Sequence, residues 1–263
     1  MTAKSILVVI PTFNRRELIG LTASYLRRID FDPERVSFVI SDDCSTEYGL
    51  SVLEEIYAAL PNAKFMKTSR QSGAIIHAWV LLRFFLTSGF DKVLIIDSDL
   101  IVHESCLRYI EDFDDEPVSS LYNSCFHKVA ERHDGYCTKA DIGWAGALVA
   151  KSIIQELFER GGSRPFDDWA LSDLAREKGL MIKVATPSAI EHVGVAGANN
   201  VIPEFFDHSL DFPREHIDQA TRDYFHQRHG FDLLHHLEAK TDHATADELR
   251  VFAVGPFKGS ERR

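Results

Sequence analysis

Four short apolar segments alternate with helix-like stretches over the first hundred residues, and this alternation restricts the chain to few folds. The apolar segments are SILVVI (5–10), VSFVIS (36–41), AKFMK (63–67) and DKVLIID (91–97). The intervening stretches with helical character cover about 14–29, 48–60 and 73–88. Strands that alternate with helices are typical of βαβ units and of a mostly parallel sheet. The sequence therefore predicts an α/β fold.

The second half of the chain is less regular. We predict strands at 117–122 and 180–185, a loop at 127–140, and a helix at 167–178. GWAGALVAKS (143–152) has the composition of a turn that leads into a strand and then a helix ending near Arg160. The last 66 residues, 198–263, are rich in His and Phe, with a predicted helix at 213–226 and a final strand LRVFAVGPF. We interpret them as a C-terminal extension.

Length and charge exclude some classes of function. The chain has 263 residues, a hydrophobic fraction of 45% and a formal net charge of -11. The apolar fraction is enough for the core of one large domain. A protein this acidic lacks the basic footprint that nucleic-acid binding needs. We therefore expect no nucleic-acid partner.

The chain shows no obvious targeting segment. Only SILVVI separates Lys4 from Pro11, which is too short for a signal peptide, and Arg83 interrupts the most apolar helical stretch, AWVLLRFFL. None of the four cysteines belongs to a C-x-x-C pair, so four reduced thiols are expected. These features favour a cytoplasmic protein without a transmembrane segment. Peripheral membrane contact and a homodimer stay open.

Three of the predicted strands end in short segments that carry polar residues. The segments consist of Pro11, Thr12, Phe13 and Asn14 after the first strand, Asp42 and Asp43 after the second, and Asp97, Ser98 and Asp99 after the fourth. In parallel sheets, ligands bind beyond the carboxyl ends of the strands. The sequence therefore predicts one binding site to which three strands contribute.

Asp97 and Asp99 end an apolar strand. Side chains two positions apart on a strand point to the same side, roughly 6–7 Å from each other. Repulsion and desolvation oppose this arrangement unless a cation relieves it, and hard oxygen ligands suit Mg²⁺ or Mn²⁺. The alternative is an ordinary turn in which Ser98 or Asp99 caps the next helix.

The residues at the ends of the first two strands can bind a nucleotide or form local turns and caps. Asp42 and Asp43 can accept hydrogen bonds from a nucleobase or a ribose, or they can form an Asx turn. Phe13 can stack on a base. Asn14, with Glu17 three residues later, has the pattern of a capping box, and we expect Asn14 to cap the first helix.

Two further candidates lie in the second half. Asp167 and Asp168 precede the amphipathic stretch WALSDLAREKG, so they either stabilise the helix N-terminus or provide a general base. His192 lies in a His-Val-Gly turn and is either a metal ligand or a structural residue.

Taken together, the motifs resemble the glycosyltransferases with the GT-A fold, most closely family 2. The resemblance covers roughly residues 5 to 195 and rests, in this order, on VVIPTFNR, VISDDCST, IIDSDLIV, GWAGALVAKS, FDDWALSDLAREKG and IEHVG. It implies a single GT-A-like domain with a mostly parallel, Rossmann-like sheet flanked by helices. Residues 1–100 would form the nucleotide-sugar half, 101–197 the acceptor and catalytic half, and 198–263 the extension.

The resemblance also implies a role for each candidate residue. The donor side would comprise Pro11, Thr12, Phe13, Asn14, Asp42, Asp43, Gly73, Asp97 and Ser98. A divalent metal, Mn²⁺ or Mg²⁺, would be held by Asp97, Asp99 and His192. The acceptor or sugar side would comprise Trp144, Ala145, Gly146 and Asp167. Asp168 would act as the general base.

The implied reaction is the metal-dependent transfer of a sugar from a nucleotide diphosphate, expected to be UDP, to a hydroxyl of a glycan or other acceptor. A single base opposite the leaving group predicts inversion, and polysaccharide biosynthesis is the expected setting. The chain also departs from the family pattern. Arg70-Gln71-Ser72-Gly73 and His77 replace an Asn-x-Gly and an Arg-Asn pair, and no Gln-x-x-Arg-Trp segment follows Asp168. A processive synthase is therefore not expected.

Three alternatives stay open at this point. A haloacid-dehalogenase-like phosphatase also has an Asp-x-Asp motif at a strand end, but normally after its first strand. A sugar-nucleotide pyrophosphorylase would carry a Gly-rich loop where PTFNRREL stands. A binding module could keep the nucleotide-sugar pocket without turnover.

Overall fold

A large mixed sheet forms the centre of the protein. The computed structural model describes residues 3–162, 165–194, 207–230, 232–235 and 237. Within these residues, the central sheet consists of β1 (Ile6–Thr12), β2 (Val36–Asp42), β3 (Lys64–Lys67), β4 (Lys92–Ile95), β6 (Val118–Ser120), β7 (Val129–Arg132), β8 (Tyr136–Lys139), β9 (Ala147–Ala150) and β10 (Ile182–Ala185). Its strand order is β3-β2-β1-β4-β9-β6-β10-β8-β7. A separate antiparallel pair consists of β5 (Leu100–Val102) and β11 (Ile190–His192).

Helices cover both faces of the sheet. They are α1 (Arg16–Leu26), α2 (Leu50–Ile56), α3 (Ala74–Thr87), α4 (Cys106–Asp112), α5 (Lys151–Gly161), α6 (Asp168–Glu177) and α7 (Gln219–His229). Buried side chains of α1, α2 and α4 belong to one apolar cluster, and those of α3, α5 and α6 belong to another. The predicted α/β fold, with helices flanking a central sheet, is confirmed.

The sequence of β1 shows why both faces are covered. Ile6, Val8 and Ile10 pack into the cluster with α1 and α2, whereas Leu7 and Val9 pack into the cluster with α3 and α5. Successive side chains on a strand point to opposite faces, so a strand buried on both sides is a continuous apolar run. This explains the segment ILVVI at the centre of the sheet.

The sheet is parallel only in part. β3, β2, β1 and β4 run parallel, as the alternation in the first hundred residues predicts. Beyond β4, β9 is inserted antiparallel between β4 and β6, while β10 runs parallel to β6. The second half therefore makes the sheet less parallel than the sequence suggested.

The prediction of a loop at 127–140 is wrong. This segment forms the antiparallel hairpin of β7 and β8, with a bulge between Val129 and Glu131, and β8 pairs with β10. β7 is the edge strand of the sheet and is mostly exposed, so its sequence is polar like that of a loop. Gly135, with φ of 78°, forms the turn.

The described part of the C-terminal extension packs against α1. Tyr25 Oη lies 3.1 Å from Thr221 Oγ1 and accepts a hydrogen bond of 2.8 Å from the Asp218 backbone N–H. Phe212 and Phe225 join an apolar cluster with residues of α1 and β5. The helix predicted at 213–226 is present as a short 3₁₀ turn followed by α7. The predicted strand LRVFAVGPF lies outside the described residues.

None of the helices in the described ranges combines the length and the apolarity needed to cross a bilayer.

Gly146 allows the turn before β9 to pass close to the side chains of two other residues of the protein. Its φ is 69°, and a Cβ added to it would lie 2.9 Å from both Ile190 Cδ1 and Tyr122 Cβ. We expect Gly146→Ala to lower the free energy of unfolding by about 2–4 kcal/mol, because backbone strain adds to overpacking. Urea unfolding followed by circular dichroism measures this loss.

Gly179→Ala is the matched control. Gly179 also has a positive φ, 67°, but nothing lies within 4 Å of an added Cβ. This variant should lose only the backbone contribution of about 1–2 kcal/mol. Equal losses for the two variants would show that close packing at Gly146 has no energetic effect.

Candidate active site

Side chains from three parallel strands meet at one edge of the sheet. Thr12, the last residue of β1, is in register with Asp42, the last residue of β2. The segment after β4 continues beside β1, because the Ile96 N–H donates to the Val9 carbonyl at 3.0 Å. Asp97 and Asp99 follow directly. The structure thus brings together the residues that the sequence analysis selected from the ends of β1, β2 and β4.

The loop after β1 is bonded to the loop after β2. The Asn14 N–H donates to Ser45 Oγ at 2.7 Å, and Asn14 Oδ1 accepts from the N–H groups of Thr46 at 3.0 Å and Glu47 at 3.3 Å. The prediction that Asn14 caps α1 is therefore wrong. α1 begins at Arg16 without a side-chain cap, and Asn14 and Arg15 adopt left-handed φ values of 50° and 57° instead. This backbone turn directs the side chain of Asn14 to the loop after β2 and not to the N–H groups of α1.

Asp42 is fully buried, and its carboxylate is hydrogen-bonded to other residues of the protein. Its carboxylate accepts hydrogen bonds from the Ser45 N–H at 2.9 Å and from the Ser45 hydroxyl, and Lys67 Nζ lies 3.2 Å away. The structure therefore favours the turn-forming interpretation of Asp42. The half-buried Pro11 and Phe13 lie at the same edge.

Asp43 holds the start of α3 against the end of β2. Its carboxylate accepts from the Ser72 N–H at 2.8 Å, the Ser72 hydroxyl at 2.8 Å and the Gly73 N–H at 2.7 Å. Burial by itself raises the pKa of Asp43, but these hydrogen bonds outweigh burial and lower the pKa below its ordinary value. Gly73, with φ of 87°, is thus linked to Asp43 through its backbone.

The buried carboxylate of Asp99 is flanked by two basic side chains. Its Oδ2 lies 2.6 Å from Arg15 Nη1 and 3.5 Å from His192 Nε2. Burial raises the pKa of Asp99, but His192 and Arg15 outweigh it and lower the pKa far below its usual range. Asp97 differs: burial, reinforced by the charge of Asp99, raises the pKa of Asp97 to about 6. Ser98 contributes its backbone carbonyl, which accepts from Thr22 Oγ1 at 2.9 Å.

His192 is fixed from both sides. It ends β11, and its Nδ1 lies 2.8 Å from the backbone carbonyl of Asp207, which leaves Nε2 directed toward Asp99. Burial lowers the pKa of His192, but Asp99 and Asp207 raise it to about 10. A Cβ on Gly194 would lie 2.2 Å from Asp99 Oδ2, so only glycine allows the chain to pass here.

The donor atoms of Asp97, Asp99 and His192 suit a divalent cation that is shared with a substrate. Among the described residues, no three His, Cys, Asp or Glu side chains are already arranged to ligate an ion. Mg²⁺ is usually bound by one or two carboxylates together with substrate phosphates, without a cage made only of protein ligands. Two carboxylates and an imidazole at one edge meet that pattern, and Arg15 now balances the charge of Asp99.

Asp168 lies at the N-terminus of α6, beside the turn that precedes β9. Exposed Asp167 is the N-cap, and its side chain accepts from the Ala170 N–H at 3.3 Å. A Cβ on Gly143 would lie 3.5 Å from Asp168 Oδ2. Burial raises the pKa of Asp168, and the charge of Asp167 raises it further. The charge of Asp168 also raises the pKa of Asp97, so the two carboxylates share one electrostatic environment.

The predicted acceptor residues form the turn between Asp168 and β9. Half-buried Trp144 packs against Phe166, with 6.4 Å between ring centroids, and Ala145 contacts the core. Gly146 bonds through its backbone to Ile95 at the end of β4. The turn therefore connects the neighbourhood of Asp168 with the strand that precedes Asp97.

No sequence pattern by itself indicates a role for Arg15, Asp207 or His77. Arg15 belongs to the segment PTFNR after the first strand, and this motif could have identified it as a site residue. Asp207 lies in the extension, and its sequence context gives no sign of a link to His192. His77 is buried under the β2 edge, with Nε2 2.8 Å from Ser41 Oγ.

Comparisons with known proteins identify a family from the sequence and a fold from solved structures. The family model described as "Glycosyl transferase family 2" matches residues 7–144. The crystal structure of S. aureus TarS 1-349 in complex with UDP-GlcNAc has a TM-score of 0.54 and 17% identity, and the match covers 95% of this chain and 80% of that chain.

Two further TarS structures are similar. The complex of TarS 1-349 with UDP has a TM-score of 0.52 and 18% identity, covering 95% of this chain and 81% of that chain. TarS 1-349 alone has a TM-score of 0.51 and 20% identity, covering 71% of this chain and 59% of that chain. No curated protein matches the chain. At these identities the structural matches establish the fold.

His77 should make stability depend on pH. Burial lowers its pKa below 6.5, although Asp43 and Asp42 oppose the shift. Below pH 6.5 the unfolded chain then binds a proton that the folded chain does not, so stability falls as the pH falls. We expect His77→Gln to reduce this loss, by at most about 1.4 kcal/mol per pH unit. Urea unfolding at several pH values between 5 and 7.5 measures it, and the same dependence in both proteins would contradict it. His226→Gln, an exposed change on α7, is the control.

Proposed function

The chain belongs to glycosyl transferase family 2, and on that premise we propose that it transfers a sugar from a nucleotide-diphosphate donor to a hydroxyl acceptor at the edge formed by β1, β2 and β4. One observation carries this proposal. Asp99 pairs with His192 at the carboxyl end of parallel strands, Asp97 lies two residues before Asp99, and the charge of Asp168 raises the pKa of Asp97. A donor held at that edge would lie between the proposed metal ligands and the proposed base.

For the donor we propose a UDP-sugar. The β1 and β2 loops are joined by the hydrogen bond between Asn14 and Ser45, so contacts within the chain hold this edge together. Phe13 offers an aromatic face for a base. Asp43 is occupied by Ser72 and Gly73, so it would shape the pocket, and it could bond to the base only if one of those donors moved. The TarS structures with UDP-GlcNAc and UDP support the choice of nucleotide by analogy of fold.

We propose that Asp99 and His192, with Asp97 beside them, hold Mn²⁺ or Mg²⁺ together with the diphosphate. The metal would neutralise the charge that develops on the departing diphosphate. Around that site, the chain's own residues fix the geometry. The carbonyl of Asp207 orients His192, and Arg15 supplies a guanidinium within reach of Asp99.

Asp168 is the proposed general base. Its raised pKa makes the carboxylate a better proton acceptor near neutral pH than an exposed aspartate. In the proposed reaction, Asp168 takes the proton of the acceptor hydroxyl while that oxygen bonds to the anomeric carbon and the bond to the diphosphate breaks. The sugar passes through an oxocarbenium-like transition state, and attack opposite the leaving group inverts the anomeric centre.

The acceptor would enter beside Trp144, Ala145 and Asp167, which lie around Asp168. A glycan is the class of acceptor we propose, because the half-buried aromatic Trp144 directly follows Gly143, which lies beside Asp168. The phosphatase alternative is disfavoured by topology as well as by family, since Asp97 follows β4 and not the first strand.

The donor site predicts metal-dependent nucleotide binding. Calorimetry with UDP, GDP, CDP and TDP, with and without Mn²⁺, should show that UDP binds and that Mn²⁺ is required. We expect Asp99→Ala to weaken this binding at least about tenfold, because it removes a proposed metal ligand. Asp112→Ala, which removes an exposed carboxylate on α4, is the control and should bind like the wild type. If no nucleotide bound under either condition, the proposed function would be wrong.

The proposed base predicts a separation of binding and turnover. Asp168→Asn should lower the rate of transfer by about 10²–10⁴-fold, because general-base catalysis contributes that much, while UDP affinity stays within about twofold. Asp173→Asn, which changes an exposed carboxylate of the same helix α6, is the matched control and should keep full activity. NMR of the product should show an inverted anomeric configuration. Retention of configuration, or full activity of Asp168→Asn, would exclude the role proposed for Asp168.

A further inference from the structure

The outward face of α3 is unusually apolar for a helix on the surface. Ile75, Ile76 and Val80 are 55%, 44% and 41% exposed. Ile76, Val80 and Arg83 follow one another at spacings of four and three residues, so they form one stripe along the helix. The opposite side of α3 is buried in the core. We call Ile75, Ile76, Val80 and Arg83 the α3 face.

The segment that contains the α3 face has a charge opposite to that of the whole protein. The chain contains 40 acidic and 29 basic residues, yet no Asp or Glu occurs between Lys64 and Phe90. Four basic residues lie in that segment. Lys67 Nζ donates to the Ser45 carbonyl, whereas no hydrogen bond of this kind to a described residue is seen for the exposed side chains of Lys64, Arg70 and Arg83. Exposed apolar side chains and basic residues therefore occur together in a segment that contains no acidic residue.

Trp79 gives the α3 face an aromatic border. Its ring packs on Phe158 of α5 at 5.2 Å between centroids, and the Arg83 guanidinium lies 5.4 Å from the Trp79 ring. An aromatic ring next to an exposed arginine with an apolar stem suits the boundary between hydrocarbon and lipid headgroups.

We propose that the α3 face docks on an anionic lipid surface. Interfacial helices insert apolar side chains beneath the headgroups, and basic side chains bind the anionic headgroups. The charge of the 64–90 segment favours this partner over a second copy of the chain. A twofold interface would place the same basic segment against itself, and like charges would then repel.

Docking at α3 would bring the candidate active site to the lipid surface. α3 begins directly after Gly73, whose N–H bonds to Asp43 at the nucleotide edge. On the other side, Phe158 packs against Phe166 at 5.0 Å between centroids, and Phe166 lies two residues before Asp168. The docking itself does not depend on the proposed function.

Vesicle sedimentation tests the proposal. The full chain is mixed with vesicles of phosphatidylcholine, with or without phosphatidylglycerol, at low and high salt. We expect partition onto the vesicles with phosphatidylglycerol, reduced by salt. The triple variant Ile75→Ser, Ile76→Ser, Val80→Ser should lower the partition coefficient at least about tenfold. Arg83→Gln should lower it about fivefold, as one basic residue near the surface contributes about 1 kcal/mol.

Met181→Ser is the control. Met181 is 48% exposed and lies outside α3, before β10, so this variant removes an exposed apolar side chain elsewhere and should bind like the wild type. The proposal is overturned if the wild type does not bind vesicles with phosphatidylglycerol, or if the triple variant binds as well as the wild type. It is also overturned if light scattering shows a dimer that the triple variant dissociates while lipid binding is absent. If circular dichroism shows that the triple variant is unfolded, Val80→Ser and Arg83→Gln decide the question by the same criteria.

Discussion

The negative charge of Asp99, buried at the end of the central strands, is the constraint on which the surrounding structure depends. A buried carboxylate is costly unless cations or hydrogen bonds compensate it. Here the compensation comes from Arg15, which follows β1, and from His192, which ends β11. The Asp207 carbonyl in turn fixes His192, so the described part of the C-terminal extension belongs to the same arrangement. Three distant segments of the chain are thus organised around one charge.

Much of the donor half could be predicted, because its strands and helices are specified by patterns of neighbouring residues in the sequence. The apolar run of β1 and the helical pattern of α1 identify a βαβ unit, and the carboxyl ends of parallel strands must then lie at one edge. Once Asp42 and Asp97 were assigned to strand ends, their proximity followed from topology. Asp168 becomes a candidate through a different local pattern, an acidic pair at the start of an amphipathic helix.

What could not be predicted depends on contacts between distant residues or on details of the backbone. Arg15 and Asp99 are 84 residues apart, and no local pattern links them. Asn14 has the spacing of a capping box, but the left-handed turn at Asn14 and Arg15 directs its side chain to the β2 loop. The β7–β8 hairpin lies at the edge of the sheet, so its outer strand has the polar composition of a loop. The burial and hydrogen bonding of Asp42 likewise became visible only in the folded chain.

The hydrogen bonds between the β1 and β2 loops have a consequence for motion. The Asn14 N–H donates to Ser45 Oγ, and the N–H groups of Thr46 and Glu47 donate to Asn14 Oδ1, so neither loop can leave its position without breaking bonds of the other. Local opening in such an arrangement is cooperative. The amide hydrogens of Asn14 and Thr46 should therefore exchange with solvent through one shared opening event, although 32 residues separate them along the chain.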